Sequence, residues 1–305
     1  MRRGKIFFKV QNIIKIEGER SMKKLLVCFI CVLAVFGFAA CGSNGEDVVK
    51  VIDIKLTDEQ YAFAVQKGNT SLLNDFNAFL AEIEENGKFA EIVAKYFENE
   101  GTKKGVEIAL NNVVNNEQNF VVATNCPFDP FEYIGEDGLV YGIDIEIAAL
   151  YAEAKGLTLV VKNIDFSAIL NDVAAGYSDM GMAGMTVNED RLVVCDFTTP
   201  YYEASQKIIV AADNTDFDNC KTAEDVENVI KGLTNVKIGY QNGTTGNWYV
   251  AGDADWGFDG FSNVEAKGYT TAQLAIQDIA NGLIYAVVVD EAPGAAMVKA
   301  INANA

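Results

Sequence analysis

"FVVATN" at residues 120–125, "IDIEIAALYAEAKG" at 143–156 and "LTLVVKN" at 157–163 form the passage that decides the fold. The first and third are short runs rich in β-branched residues, and the one between them sets apolar residues at helical intervals. Strand, helix and strand in succession build a parallel pair, because a crossover helix carries the chain back to start the second strand beside the first. The rhythm continues through "FSAILNDVAAG" (166–176) and "SDMGMAG" (178–184). After "QKIIVAAD" (206–213) it resumes with "AEDVENVIKG", "KIGYQNG", "TAQLAIQDIANG", "YAVVVD" and "PGAAMVKAI". This alternation predicts an α/β protein whose lobes are mostly parallel sheets flanked by helices. Neither run is long enough for a large doubly wound domain, and extended segments join them, so the reading is two lobes and a cleft.

Upstream, "VVKVIDIKL" (48–56) and "YAFAVQKG" (61–68) read as strands, the second ending in a Gly-Asn turn. Residues 70–85 carry Leu72, Leu73, Phe76, Phe79, Leu80 and Ile83 at helical spacing, with Gly87 as a stop. "GKFAEIVAKYF" (87–97) sets Phe89, Ile92, Val93, Tyr96 and Phe97 on one helical face without any chemical motif of its own. Residues 98–119 are polar and read as a connector.

The stretch "MKKLLVCFICVLAVFGFAAC" (22–41) has a basic head, an apolar run and small residues before Cys41, which fits a secretory signal better than a resident membrane helix. Cys41 followed by "GSNG" resembles the acylated cysteine of a bacterial lipoprotein, although Phe38 stands where such signals usually carry Leu. Plain secretion and an uncleaved anchor are the alternatives. Residues 1–21 would bury the basic head inside a longer segment, so translation is expected to begin at Met22.

Of the 24 basic and 43 acidic residues, eight and two lie in the first 40, which leaves 16 and 41 and a formal charge of −25. Such a surface repels phosphate backbones, so nucleic acid is not an expected partner. The chain has no histidine. Cys126, Cys195 and Cys220 are too scattered for a thiolate cluster, and the glycine-containing turns form neither a GxGxxG nor a GxxxxGK[ST] loop, so no metal or organic cofactor is expected.

Ligands of such sheets sit beyond the C-terminal strand ends. Four candidate stretches lie there: "ATNCPFDPFEY" (123–133), "AGMTVNEDR" (183–191), "YQNGTTGNWY" (240–249) and "VVVDEAPG" (287–294). Arg191 suits a carboxylate through two parallel hydrogen bonds. Gly184 offers backbone N–H and C=O groups, and Thr186, Thr244 and Thr245 offer hydroxyls. Asp290, closing a very apolar strand, needs a cation, which an α-ammonium supplies. Phe128 and Phe166 are placed to flank a side chain. Together they describe a site for a zwitterion, its carboxylate on Arg191, Thr186 and Thr245 and its ammonium on Asp290 and the carbonyl of Gly184. Each also has an ordinary reading: Arg191 in a structural ion pair, Asp290 as a helix N-cap, the threonines in turns, the phenylalanines in a core.

The motifs "PFDPFEY", "GIDIEIA", "AGMTVNEDR", "DFTTPYYE", "YQNGTTG" and "AVVVDEAP" resemble those of the bacterial extracellular solute-binding proteins of the polar amino acid ABC transporter family. The resemblance spans nearly all of residues 48–305 except the connector. It implies a two-lobed periplasmic-binding-protein-like fold of type II, a monomer without cofactor that hands an amino acid to an ABC permease. In that family the positions matching Gly184, Thr186 and Arg191 bind the ligand's α-carboxylate with help from the one matching Thr245. The position matching Asp290 holds the ammonium, and those matching Phe128 and Phe166 line the side-chain pocket. Several relatives that prefer basic or amide side chains have Asp where this chain has Asn125. Asparagine does not neutralise a cation, so a neutral polar or moderately apolar ligand is expected unless Glu132 or Glu203 turns inward.

In relatives a segment like residues 56–97 comes last, whereas here it comes first, so the order resembles a circular permutation. The expected domains are an upstream extension and signal (1–40), a lipid-anchored tether (41–47), a second lobe (48–59 and 209–305), a first lobe (60–97 and 120–208), and a connector (98–119) joining the ancestral termini. The expected function is a lipid-anchored receptor hinged near Gln60–Tyr61 and Gln206–Ile208. A sensor input with the same pocket, or a dehydratase-like enzyme acting on a small carboxylate through Glu132, Glu203 or Asp290, are the alternatives.

Overall fold

The computed structural model describes residues 46–109 and 115–305. Met22, the signal and Cys41 lie outside the described residues, as do 110–114 of the connector.

The described chain opens with strands β1 (Val49–Ile52), β2 (Glu59–Tyr61) and β3 (Ala64–Gln66) and helices α1 (Thr70–Glu85) and α2 (Lys88–Phe97). There follow β4 (Asn119–Thr124), β5 (Tyr133–Ile134), β6 (Val140–Tyr141), α3 (Ile143–Lys155), β7 (Thr158–Asn163), α4 (Phe166–Ala174) and β8 (Met180–Gly181). Next come α5 (Glu189–Val194), β9 (Cys195–Phe197), β10 (Tyr202–Ala204) and β11 (Gln206–Ala211). The last stretch is α6 (Ala223–Gly232), β12 (Lys237–Gln241), α7 (Thr245–Ala251), β13 (Glu265–Tyr269), α8 (Ala272–Ala280), β14 (Ala286–Asp290) and α9 (Glu291–Asn302).

Two five-stranded sheets define the lobes, in the orders β7-β4-β8-β3-β9 and β1-β11-β14-β12-β13. Neither is mostly parallel, contrary to the alternation of strands and helices. Parallel pairing holds for β4 with β7 and β8, and for β12 with β13 and β14; β3 runs antiparallel to β8 and β9, and β11 antiparallel to β1 and β14. The reason lies in the crossings: β1, β3, β9 and β11 flank the two stretches that pass between lobes, so no crossover helix sets their direction. Those stretches meet as a small antiparallel ribbon, Glu59 opposite Ala204 and Tyr61 opposite Tyr202. The second-lobe sheet already includes Gln206, three residues ahead of the expected boundary.

The segment of residues 61–97 is part of the first lobe. Its expected single strand is broken into β2 and β3 at Ala62 and Phe63, where Phe63 N–H donates to Thr198 Oγ1 at 3.0 Å. β3 then pairs through Ala64 with Gly181 on one side and Phe197 on the other. α1 starts at a cap, the Asn69 side chain accepting from Leu72 N. Its inward residues are Phe76, Phe79, Leu80 and Ile83. The Phe76 ring lies 4.6 Å from that of Tyr151 and 6.2 Å from that of Phe120.

On α2 only Ile92 and Tyr96 are buried, a narrower stripe than the spacing suggests. Tyr96 explains where this helix docks: its hydroxyl donates to Glu146 Oε1 at 2.8 Å and accepts from Gly142 N at 3.1 Å, at the start of α3. Lys95 pairs with the other oxygen of Glu146. The connector stays on this lobe, with Val106 bridged to Val140 and Ile108 to Val161. Beside the second-lobe sheet, Asn302 Oδ1 accepts from the N–H groups of Val48 and Val49 at 3.0 and 3.1 Å.

Candidate functional site

A cavity between the lobes is lined by Asn125, Phe128, Glu132, Phe166, Gly184, Thr186, Arg191, Gln241, Thr244, Thr245 and Asp290. All nine residues predicted from sequence are among them. The structure adds Gln241, and of the two doubtful carboxylates it turns Glu132 inward while Glu203 is exposed. The lining comes from the C-terminal ends of β4, β8, β12 and β14 and the helices that follow, where strand ends of two sheets face each other.

Arg191 is 5% exposed and makes no ion pair among the described residues. Its Nη1 donates to the carbonyl of Thr186 at 2.6 Å and its Nη2 to that of Gly243, from the other lobe, at 2.9 Å. A guanidinium has five N–H donors, so most of its capacity is still open. Its carbon sits 5.3 Å from the Phe166 ring, 5.3 Å from Trp248 and 5.8 Å from Trp256. Burial draws its pKa down to about 10, against the opposing effect of the Glu59 and Asp290 carboxylates. The two tryptophans stack at 3.7 Å, and Trp256 Nε1 donates across the cleft to Asp190.

Asp290 occupies the N-cap position of α9, yet its side chain makes no cap hydrogen bond. Instead its Oδ1 accepts from the Tyr61 hydroxyl at 2.5 Å. Burial first, then the neighbouring Glu59 carboxylate, push the Asp290 carboxyl up to about 7. Glu132 is 1% exposed and its Oε2 has no hydrogen-bond partner among the described residues. Burial, with Asp144 and Asp290 nearby, holds it well above the usual carboxylate range.

At the level of atoms, polar groups of several predicted site residues already have partners within the protein. The Gly184 N–H donates to Asp144 Oδ2 at 3.0 Å, so it is not open to a ligand carboxylate. Gly184 has φ +51, and a Cβ there would fall 2.6 Å from Phe128 Cε1, so the turn requires glycine. The Thr186 and Thr245 hydroxyls both donate to Glu59 Oε2, at 2.6 and 2.7 Å, and not into the cavity. Thr244 is the N-cap of α7, accepting from Asn247 N, and donates to Gln241 O at 2.8 Å. The Asn125 amide is held as well: Nδ2 donates to Ile164 O and Oδ1 accepts from Gln241 Nε2, both at 2.7 Å. Glu59, Tyr61 and Trp256 escaped the sequence reading because none stands in one of the four candidate stretches, whereas Trp248 stood in "YQNGTTGNWY" and was passed over. Gln241 lay within the quoted "YQNGTTG" and was detectable there.

Three cysteines, Cys126, Cys195 and Cys220, are free, and the first two are buried. Among the described residues no group of three or more His, Cys, Asp or Glu is placed to hold a metal ion.

Residues 120–303 match the family model of bacterial extracellular solute-binding proteins, family 3. The chain is 27% identical to a probable histidine-binding protein of Neisseria gonorrhoeae over 58% of this chain and 61% of that one. It is 30% identical to the ABC transporter arginine-binding protein 1 of Escherichia coli K12, over 57% of this chain and 63% of that one. The matches thus span less than two thirds of either relative's length. An ancestral arginine-binding protein bound to arginine superposes with a TM-score of 0.51 at 31% identity, over 60% of this chain and 75% of that one. The architecture is the two-lobed α/β fold of periplasmic-binding-protein type.

Proposed function

The chain belongs to the bacterial extracellular solute-binding proteins, family 3, and from that premise we propose that it captures an α-amino acid outside the cytoplasm and delivers it to an ABC permease. A binding role and not a catalytic one goes with the family. The observation that carries the reading is the pair of buried, opposite charges on one cavity, Arg191 without an ion-pair partner and Asp290 without a cation. Burying either alone is costly, and a zwitterion satisfies both.

The side-chain end argues for a cationic ligand. The zwitterion balances Arg191 and Asp290, which leaves Glu132 with an unpartnered oxygen inside the same cavity. This is the exception that the neutral-ligand reading of Asn125 allowed for, and the histidine- and arginine-binding relatives support it. A neutral polar side chain is the second reading, favoured by the neutral amide of Gln241 in the cavity lining.

A calorimetric panel of common amino acids on the mature protein tests both. Arginine, lysine or histidine should dominate, and Glu132→Gln should weaken the preferred one by about tenfold or more. A dominant neutral amino acid would restore the second reading, and no response to any α-amino acid would sink the receptor. The pH dependence has a definite sign. Glu132 and Asp290 have raised pKa values in the folded protein, and a cationic ligand favours their ionised forms, so binding below those values must expel protons. Affinity for a cationic ligand therefore rises with pH through about 7, where Asp290 ionises. Flat affinity between about pH 5 and pH 8 would contradict the role of these carboxyls.

We further read the chain as circularly permuted. The family match runs from residue 120 to 303, while β3, α1 and α2, which complete the first lobe, precede it. Residues 98–119 would join the ancestral termini, and the strand β1 beside Asn302 would mark the new opening. Acylation at Cys41 would then tether the second lobe to the membrane through β1, and loss of lipid labelling in Cys41→Ser is the check. A sensing role shares the pocket and differs in its membrane partner.

A further inference from the structure

Glu59 lies behind the cavity wall in hinge strand β2, 8% exposed. Four donors converge on it. Oε1 accepts from Thr57 Oγ1 at 2.6 Å and Gln206 Nε2 at 3.0 Å, while Oε2 accepts from Thr186 Oγ1 at 2.6 Å and Thr245 Oγ1 at 2.7 Å. Thr57 Oγ1 is itself the acceptor for Gln206 N at 2.8 Å, which leaves its proton for Glu59. A carboxylate has about four lone-pair sites. With four donors on it, the lone-pair sites of Glu59 are all engaged.

A hydroxyl carries one proton. Those of Thr186 and Thr245 point at Glu59, so what each can turn toward the cavity is lone pairs. Lone pairs repel a carboxylate and receive an ammonium. We propose that Glu59 is a positioning residue that fixes the Thr186 and Thr245 hydroxyls as acceptors for the ligand's ammonium, a role that rests on the amino-acid-receptor reading above. The ammonium end of the site is then Asp290 with two threonine oxygens, and the hydroxyls leave the carboxylate to Arg191. Thr186 comes from the first lobe and Thr245 from the second, so the acceptor set is complete only when the lobes are closed around Glu59.

The test separates the two ends of the ligand. Calorimetric titrations use L-arginine, agmatine, which lacks the carboxylate, and 5-guanidinopentanoate, which lacks the ammonium, on the native protein, Glu59→Gln and Thr245→Val. Should the amino-acid panel single out another ligand, its decarboxylated and des-amino forms serve instead. A glutamine at 59 brings an N–H donor to the threonines and reverses at least one hydroxyl. Both variants should weaken L-arginine and agmatine by about tenfold or more and change 5-guanidinopentanoate by less than about threefold. The double variant should bind L-arginine about as weakly as the weaker single one, because Glu59 acts through the hydroxyl.

Losses shared by L-arginine and 5-guanidinopentanoate with agmatine spared would mean that the hydroxyls serve the carboxylate, and equal losses for all three would reduce Glu59 to a structural hinge residue. Either overturns the proposal. Thr245→Val keeps the comparison decisive if Glu59→Gln does not fold. A native protein that binds no amino acid overturns the receptor reading itself, a distinct outcome visible before any variant is made.

Discussion

Arg191→Ala lowers amino-acid affinity by about 2 to 5 kcal/mol, a factor of roughly 30 to several thousand, far beyond the effect of Phe128→Leu or Phe166→Leu. The loss is large because the site has no second cation: among the described lining residues Arg191 alone is basic, and Glu132 and Asp290 are acids. Without the guanidinium, a ligand carboxylate enters a closed, acid-lined cavity and leaves its hydration behind without recompense. The variant also loses the hydrogen bonds to Thr186 O and Gly243 O, the second of which joins the lobes. Truncating either phenylalanine removes only part of an apolar wall. Arg191→Lys should recover little, since a lysine ammonium lacks the planar fork that reaches two carbonyls and a carboxylate together. Calorimetry decides, with intrinsic fluorescence as a second readout: Trp248 and Trp256 are the chain's two tryptophans and both flank Arg191. Equal small losses in all three variants would mean that the ligand carboxylate sits elsewhere.

Phe76→Ala should destabilise the folded protein by about 3 to 5 kcal/mol. The side chain is fully buried and meets Phe63 and Phe79 from its own segment, with ring centroids at 5.6 and 5.7 Å, and Phe120 and Tyr151 from the body of the first lobe. Removing the ring opens a cavity that three elements share, and none can close it without moving a neighbour. For a chain of this size the loss corresponds to a drop in the melting midpoint on the order of ten degrees. Thermal denaturation followed by circular dichroism measures it, and ligand should shift the variant's midpoint in the same transition. A variant whose ligand-dependent melting is unchanged would show that residues 61–97 form a module apart from the lobe that binds.

Local pattern alone was enough for much of this protein. The spacing of Phe76, Phe79, Leu80 and Ile83 determined α1 and its buried face, and the strand ends from Asn125 to Asp290, which line one cavity, could be named because side-chain type and position relative to a strand are properties of a few consecutive residues. Strand direction was not of that kind: β3 and β11 run against their neighbours because of how the chain enters from the hinge. The same limit applies inside the site. Asp290 could have capped α9, but a tyrosine 229 residues away donates to its carboxylate. Glu132 and Glu203 were equivalent candidates until packing buried one and exposed the other. The direction of the Thr245 proton depends on Glu59, 186 residues distant, and only the closed arrangement of two lobes and a hinge sets that contact. Residue identity limits the hydrogen bonds a side chain can make, whereas the partner it meets, and so whether it gives or receives a proton, depends on which distant segments the fold brings within about 3 Å.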